Sequence, residues 1–231
     1  METLKALMTR RSIRSWLPEP VDEEKRKIIL EAAMNAPSAA DARPWHFVTM
    51  DDRDVIARFT GLGGTEMLEH STFMVLLCGE VAREVYPGFW PQDCSCAAQN
   101  MQLAAHDIGV GCVWIAIYPL DDRVAACRGI LGIPENITPF ALLAMGMPAE
   151  KHGPEYRYDP ARLHHNRWSG IRDECLDNHS FPLQWSARFG QRRLQLRCAC
   201  GVCRGSGPGP SAPSSSAGPA PVGQKNRVRG H

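Results

Sequence analysis

Short apolar runs alternate with longer amphipathic stretches through the first two thirds of the chain, and the two patterns predict different elements. His46–Met50, Phe73–Cys78, Cys112–Ile117 and Phe140–Met145 are apolar runs of five or six residues, the length and texture of buried strands. Asp22 is placed to cap a helix whose first turn holds Glu23 and Glu24, acids that the positive end of the helix dipole favours. Ile28, Ile29, Ala32 and Ala33 then recur at helical spacing, and Ala36-Pro37-Ser38 stops the run. A short helix is expected over Arg53–Phe59, with Gly61–Gly64 as a loop. The strongest helical pattern runs from Pro91 to Ile108, with Ala97, Ala98, Met101, Leu103 and Ala104 as packing positions, and another covers Asp121–Leu131. The N-terminal METLKALMTRRSIRSW predicts a short helix running into a basic loop. Helices alternating with buried strands predict a layered sandwich, α/β or α+β, whose sheet is built from the four apolar runs.

After Gly146 the pattern stops. Residues 147–168 hold three prolines and many polar groups and predict an extended arm of the kind that packs on a partner subunit. Residues 169–203 show no periodicity, and Gly205–Gly223 is a Gly/Pro/Ser/Ala stretch that cannot bury a core. Two domains are therefore expected: residues 1–168 folded, and residues 169–231 a low-complexity, disordered basic extension. Charge divides at the same place. Residues 1–168 carry 17 Lys and Arg against 22 Asp and Glu, a net of −5, whereas residues 169–231 carry 9 against 3, a net of +6. The folded part is thus not an obvious nucleic-acid binder. With 44% apolar residues in 231, wholesale disorder is excluded. No apolar run reaches the roughly 18–20 residues of a membrane helix, and the N-terminus lacks the apolar core of a secretory signal. Cys78 and Cys112 fall inside apolar runs, where a free thiol behaves as a small hydrophobe, so a reduced, cytoplasmic setting is expected.

Three segments hold candidate chemistry. In Thr9-Arg-Arg-Ser-Ile-Arg14, three guanidinium groups and the Ser12 hydroxyl fall within five residues. That set suits a phosphate monoester, through bidentate Arg contacts plus a small donor. Taken alone, a solvated basic patch is the preferred reading. Ala36-Pro-Ser-Ala-Ala-Asp-Ala-Arg-Pro-Trp-His-Phe47 takes a helix end through a polar loop into a strand. Ser38, Asp41 and Arg43 offer hydrogen-bond groups there, while Trp45 is expected to be a core anchor. Asp107-Ile-Gly-Val-Gly-Cys-Val-Trp-Ile-Ala116 places two glycines between a helix and a strand. They permit close backbone approach, with N–H groups open to a planar ligand. The order is the reverse of a dinucleotide fingerprint.

In combination and order, these motifs become specific. The arginine-serine motif near residue 10, the A-P-S…P-W-H-F segment, the long helix containing Gln99 and Asn100, the G-V-G-C-V-W-I run it leads to, and the final A-M-G-M-P-A-E-K resemble the nitroreductase family of FMN-dependent oxidoreductases over about residues 3–168. The resemblance implies an α+β sandwich with a central, mostly antiparallel sheet flanked by helices. It also implies an intertwined homodimer with two FMN sites at the subunit interface. It assigns Arg10, Arg11, Ser12 and Arg14 to the ribityl phosphate and the flavin edge, and Arg157 to the phosphate. Pro37, Ser38, Ala39 and Asp41 match the segment that reaches the flavin from the other subunit. Trp114, Ile115 and Ala116 match the strand beside the reactive edge of the ring. Three positions depart from the family: Asp41 stands where Asn is common, Ala116 where many members have Gly, and Glu155 where some have Lys.

The function implied is reduction of FMN by NAD(P)H, followed by transfer to a small-molecule acceptor such as a nitroaromatic or quinone, in a ping-pong sequence. The flavin carries the redox chemistry, so no catalytic side chain is nominated. A specialised flavoenzyme of the same fold, a reductive dehalogenase or flavin-cleaving type, would carry an added lid, and residues 73–92 are too few for a large one. A non-catalytic flavin-binding redox module is the alternative from another class. No metal is expected. His164 and His165 are adjacent and diverge, Cys94 and Cys96 point about 200° apart on a helix, and Cys198, Cys200 and Cys203 have only distant Cys175 or His179 as a fourth ligand.

Overall fold

Pairing of the apolar runs accounts for the core. In the computed structural model, which describes residues 2–153 and 155–168, they form one antiparallel sheet: β1 (Trp45–Met50), β2 (Phe73–Glu80), β3 (Gly111–Ala116) and β4 (Ile137–Gly146) in the order β1-β2-β4-β3. The central strands β2 and β4 are covered on both faces, which explains their unbroken apolar runs. Among the described residues five α-helices accompany the sheet: α1 (Thr3–Thr9), α2 (Glu23–Met34), α3 (Arg53–Ala57), α4 (Trp90–Asp107) and α5 (Asp121–Leu131). Alternate strand residues divide between two clusters. Phe73, Val75, Leu77, Cys112, Leu143 and Met145 pack against α2 and α4. Met74, Leu76, Val113, Ile115, Leu142 and Ala144 join residues of α3 and α5 on the opposite face. The fold is therefore the expected α+β sandwich.

Local chemistry explains the boundaries. Asp22 caps α2 by accepting from the Lys25 amide at 2.8 Å, and α5 ends at Gly132, whose φ of 65° suits a glycine cap. Pro91 lies in the first turn of α4, where its missing N–H costs nothing. Pro139 sits inside β4 at a register shift between Leu77 and Cys78 of β2, the irregularity at which a strand tolerates proline. On α4 the expected packing positions Ala97, Ala98 and Met101 are buried and Ala104 packs half-buried against the core, while Leu103 sits on a half-buried flank and Ala105 is fully buried. On α2, Ile29 and Ala33 are buried but Ile28 is 38% exposed, because it lies on the outer face of the helix. Met101 and Ile29 each contribute about 1.5–3 kcal/mol through burial.

The thiols follow the same logic. Cys78, Cys94, Cys112 and Cys127 are free and buried. Burial raises the thiols of Cys78 and Cys112 to about 12 and that of Cys127 to about 11, so they are poor nucleophiles. Residues Met1–Pro160 form one compact unit and Ala161 begins a second. In the latter, His164 stacks on Trp168 with ring centroids 4.2 Å apart. The extension at 169–231 and its cysteine cluster lie outside the described residues. Among the described residues no helix is long and apolar enough to cross a membrane.

Candidate active site

The basic loop after α1 is pinned to the end of the sheet. Ile13 N donates to Cys112 O at 3.0 Å, Leu17 N to Met147 O at 2.8 Å, and Ala149 N to Ser15 O at 2.9 Å. Glu150 Oε1 accepts from the backbone amides of Arg14 (2.5 Å) and Ser15 (3.2 Å), contacts that lower its pKa, the Arg14 bond most. Trp16 lies across the sheet end, donating from Nε1 to Gly111 O at 3.0 Å. Two glycines make room for this docking. A Cβ on Gly111 would fall 2.7 Å from the Ile13 side chain, and one on Gly146 would fall 2.9 Å from Trp16. The close approach expected at Gly111 is thus made by the protein's own N-terminal segment.

Docking gathers positive charge. Arg10, half-buried at the C-terminus of α1, has its pKa lowered, first by desolvation and then by nearby Arg157 and Arg11. The Arg11 side chain is only 12% exposed. Its Nη1 donates to Met8 O and Arg10 O, at 3.2 and 2.8 Å, while Nη2 is buried without a hydrogen-bond partner. Arg157 reaches the same place from the arm, joined to Glu155 Oε2 by Nε at 2.9 Å and Nη2 at 2.5 Å. Glu155 Oε2 also stands 3.6 Å from Arg11 Nε. Ser12 is half-buried beside Arg11, and Arg14 is exposed. Behind the cluster, His106 near the end of α4 makes a 2.8 Å bond to Thr9 Oγ1. That hydroxyl donates to Lys5 O at 2.6 Å, so the histidine Nε2 is the donor. Desolvation, then the charge of Arg10, lowers the pKa of His106.

The second segment lies elsewhere. Ala39 N donates to Asp93 Oδ1 at 2.9 Å, and Asp93 is buried in the first turn of α4. Thirteen residues separate Asp93 from His106 along the helix, about 20 Å at 1.5 Å per residue. The loop is strained: Ala40, Asp41 and Arg43 hold φ of 50°, 56° and 46°, values a side chain disfavours. Its polar groups bond one another. Arg43 N donates to Ser38 Oγ at 3.0 Å, and the Arg43 guanidinium forks onto Asp41 at 2.6 and 2.9 Å. Pro37 is exposed, and Trp45 is buried as the core anchor. Between the two regions runs β3. Trp114 is half-buried with its ring edge-on to Phe140 at 5.9 Å. Ile115 is buried on the other face, and exposed Ala116 accepts from Arg123 Nη1 at 2.8 Å.

One chain therefore brings Arg10, Arg11 and Arg157 together and leaves Pro37, Ser38, Ala39 and Asp41 at the far end of α4. Sequence reasoning missed Thr9, His106, Asp93 and Glu150. Each acts through a contact between distant parts of the chain, which periodicity does not register.

The model of the nitroreductase family matches residues 7–72 and 62–147. The chain belongs to the nitroreductase family. A relative from Methanothermobacter thermautotrophicus, provisionally named NADH dehydrogenase/NAD(P)H nitroreductase, is 42% identical over 169 residues, covering 73% of this chain and 88% of that protein. A solved structure from Parabacteroides distasonis with the same provisional name shares 36% identity at a TM-score of 0.70, covering 73% and 99% of the two chains. An FMN-dependent nitroreductase from Clostridium difficile R20291 aligns with a TM-score of 0.67 at 26% identity, covering 71% and 99%. About seven tenths of this chain thus covers almost the whole of each of the two solved structures.

Proposed function

We propose that this nitroreductase-family chain is an FMN-dependent oxidoreductase that takes electrons from NAD(P)H and passes them to a small acceptor, a nitroaromatic or quinone, in a ping-pong sequence. The observation that carries this reading is the buried, unpartnered Nη2 of Arg11 amid the guanidinium groups of Arg10 and Arg157. A buried charged donor without a partner is costly, and a phosphate oxygen is the acceptor that relieves it with a strong, charge-assisted bond. Ser12, on the same docked segment, adds a hydroxyl donor. The residues present thus fit the phosphate end of FMN, and the C. difficile neighbour is an FMN-dependent enzyme by name.

In this reading Arg10, Arg11, Ser12 and Arg14 serve the phosphate and the flavin edge and Arg157 the phosphate, while the backbone of β3 at Trp114, Ile115 and Ala116 lies beside the ring. FMN, when bound, supplies the two-electron chemistry. The chain orients it, and the Asp41–Arg43 fork offsets the charge of the Asp41 carboxylate. Because Pro37, Ser38, Ala39 and Asp41 lie about 20 Å from His106 along α4, we assign them to the site of a second copy in a C2 homodimer. Residues 1–168 form the enzyme, with 169–231 as an appendage.

The test is whether purified protein carries a flavin spectrum that bleaches with NADH or NADPH and recovers with menadione or a nitrofuran. Colourless protein that takes up no added FMN overturns the reading. Bleaching without acceptor turnover restores the redox-module alternative.

A further inference from the structure

Glu155 occupies the place among the arginines where an incoming anion belongs. Its Oε2 accepts two bonds from Arg157 and stands 3.6 Å from Arg11 Nε. The carboxyl pKa is lowered, the Arg157 bond contributing most, so it is ionised at neutral pH. Yet the carboxylate serves only one edge of Arg11 and leaves Nη2 unpaired. It is also a poor permanent partner. Both it and Arg157 are more than half exposed, and such pairs contribute little to stability. Being two residues from Arg157 on the same arm, it meets that guanidinium at a high effective concentration and competes with any external anion for it.

We propose that Glu155 is an internal counter-anion that the flavin phosphate must displace, making the flavin an exchangeable occupant of the site and not a permanently held one. The proposal rests on the reading of Arg10, Arg11 and Arg157 as the phosphate site. When the phosphate enters, Arg157 exchanges a carboxylate for a phosphate oxygen and Arg11 gains the acceptor its Nη2 lacks. Glu155 is left beside a dianion, and that repulsion lowers affinity and speeds release. Riboflavin, which lacks the phosphate, does not feel it.

The experiment measures dissociation constants of FMN and riboflavin, and the FMN release rate on dilution, for wild type, Glu155→Gln and Glu155→Asp. Glu155→Gln should bind FMN roughly three- to tenfold more tightly and release it more slowly, with riboflavin unchanged. Glu155→Asp, which keeps the charge, should behave as wild type. Unchanged or weaker FMN binding in Glu155→Gln, with wild type still preferring FMN to riboflavin, would show that Glu155 merely positions Arg157. That result overturns the counter-anion and spares the phosphate site. Equal affinity of wild type for FMN and riboflavin removes the phosphate site itself. Should Glu155→Gln fold poorly, Glu155→Ser makes the same comparison.

Discussion

At the C-terminal end of α4, Arg11 and Arg157 share one carboxylate beside Arg10, and a buried guanidinium nitrogen lacks a partner. At its N-terminal end, Ser38, Asp41 and Arg43 are already bonded to one another on a strained loop. The first region is short of acceptors, with Arg11 Nη2 buried and unpaired. The second is self-satisfied and rigid, suited to presenting a shape. In the proposed C2 homodimer, the electrostatic anchor of one copy meets the preformed wall of the other. Both regions depend on a residue of the same helix, His106 at one end and Asp93 at the other.

Breaking the anchor should have the largest effect. Arg10→Ala or Arg11→Ala each removes charge-assisted contacts of about 1.5–3 kcal/mol, so FMN affinity measured by fluorescence titration should fall roughly ten- to a hundredfold with the melting temperature kept. Unchanged affinity in both would return the cluster to a solvated patch. Asp93→Ala strikes the wall instead. It strips the buried acceptor from Ala39 N, at a cost of about 1–3 kcal/mol, and should lower the melting temperature by about 3–10 °C. If the wall belongs to the neighbouring copy's site, this variant also weakens dimerisation by FMN, read by analytical ultracentrifugation with and without the ligand.

His106 gives a smaller, pH-dependent signature. Its folded pKa is lowered, so the unfolded chain takes up a proton at higher pH than the folded one. Stability from this group is therefore complete above the ordinary value near 6.5 and is lost as pH falls below it. Chemical denaturation between pH 7 and 5 should show that slope in wild type and a shallower one in His106→Gln. Smallest of all, truncation after Trp168 should leave melting temperature and flavin content within error. A loss of either would bring residues 169–231 into the working protein.

Legibility in the sequence follows the same division. Strands β2 and β4 announce themselves as unbroken apolar runs because both their faces are buried, and α4 is plain from its small-residue periodicity. Leu103 is legible as helical but not as peripheral, since the position of the sheet fixes which arc of the helix is innermost. Arg10, Arg11 and Ser12 stand out by type and spacing. What makes them a site does not: the docking of Ile13 and Leu17 on Cys112 and Met147, the room left by Gly111 and Gly146, and the meeting of Arg11 with Glu155 all join residues far apart in the chain. Asp93 is an acid in the first turn of α4, and only the course of the 36–43 loop reveals its partner, Ala39 N.

The docking of the N-terminal segment has a consequence for biosynthesis. Arg14 is held by Glu150, 136 residues later, and Ser15 by Ala149. At about 5–20 residues per second, a ribosome needs roughly 7–27 s to supply those partners. Until then the amides of Arg14 and Ser15 and the carbonyl of Ser15 lack these partners, and the N-terminal segment waits on the far end of the chain.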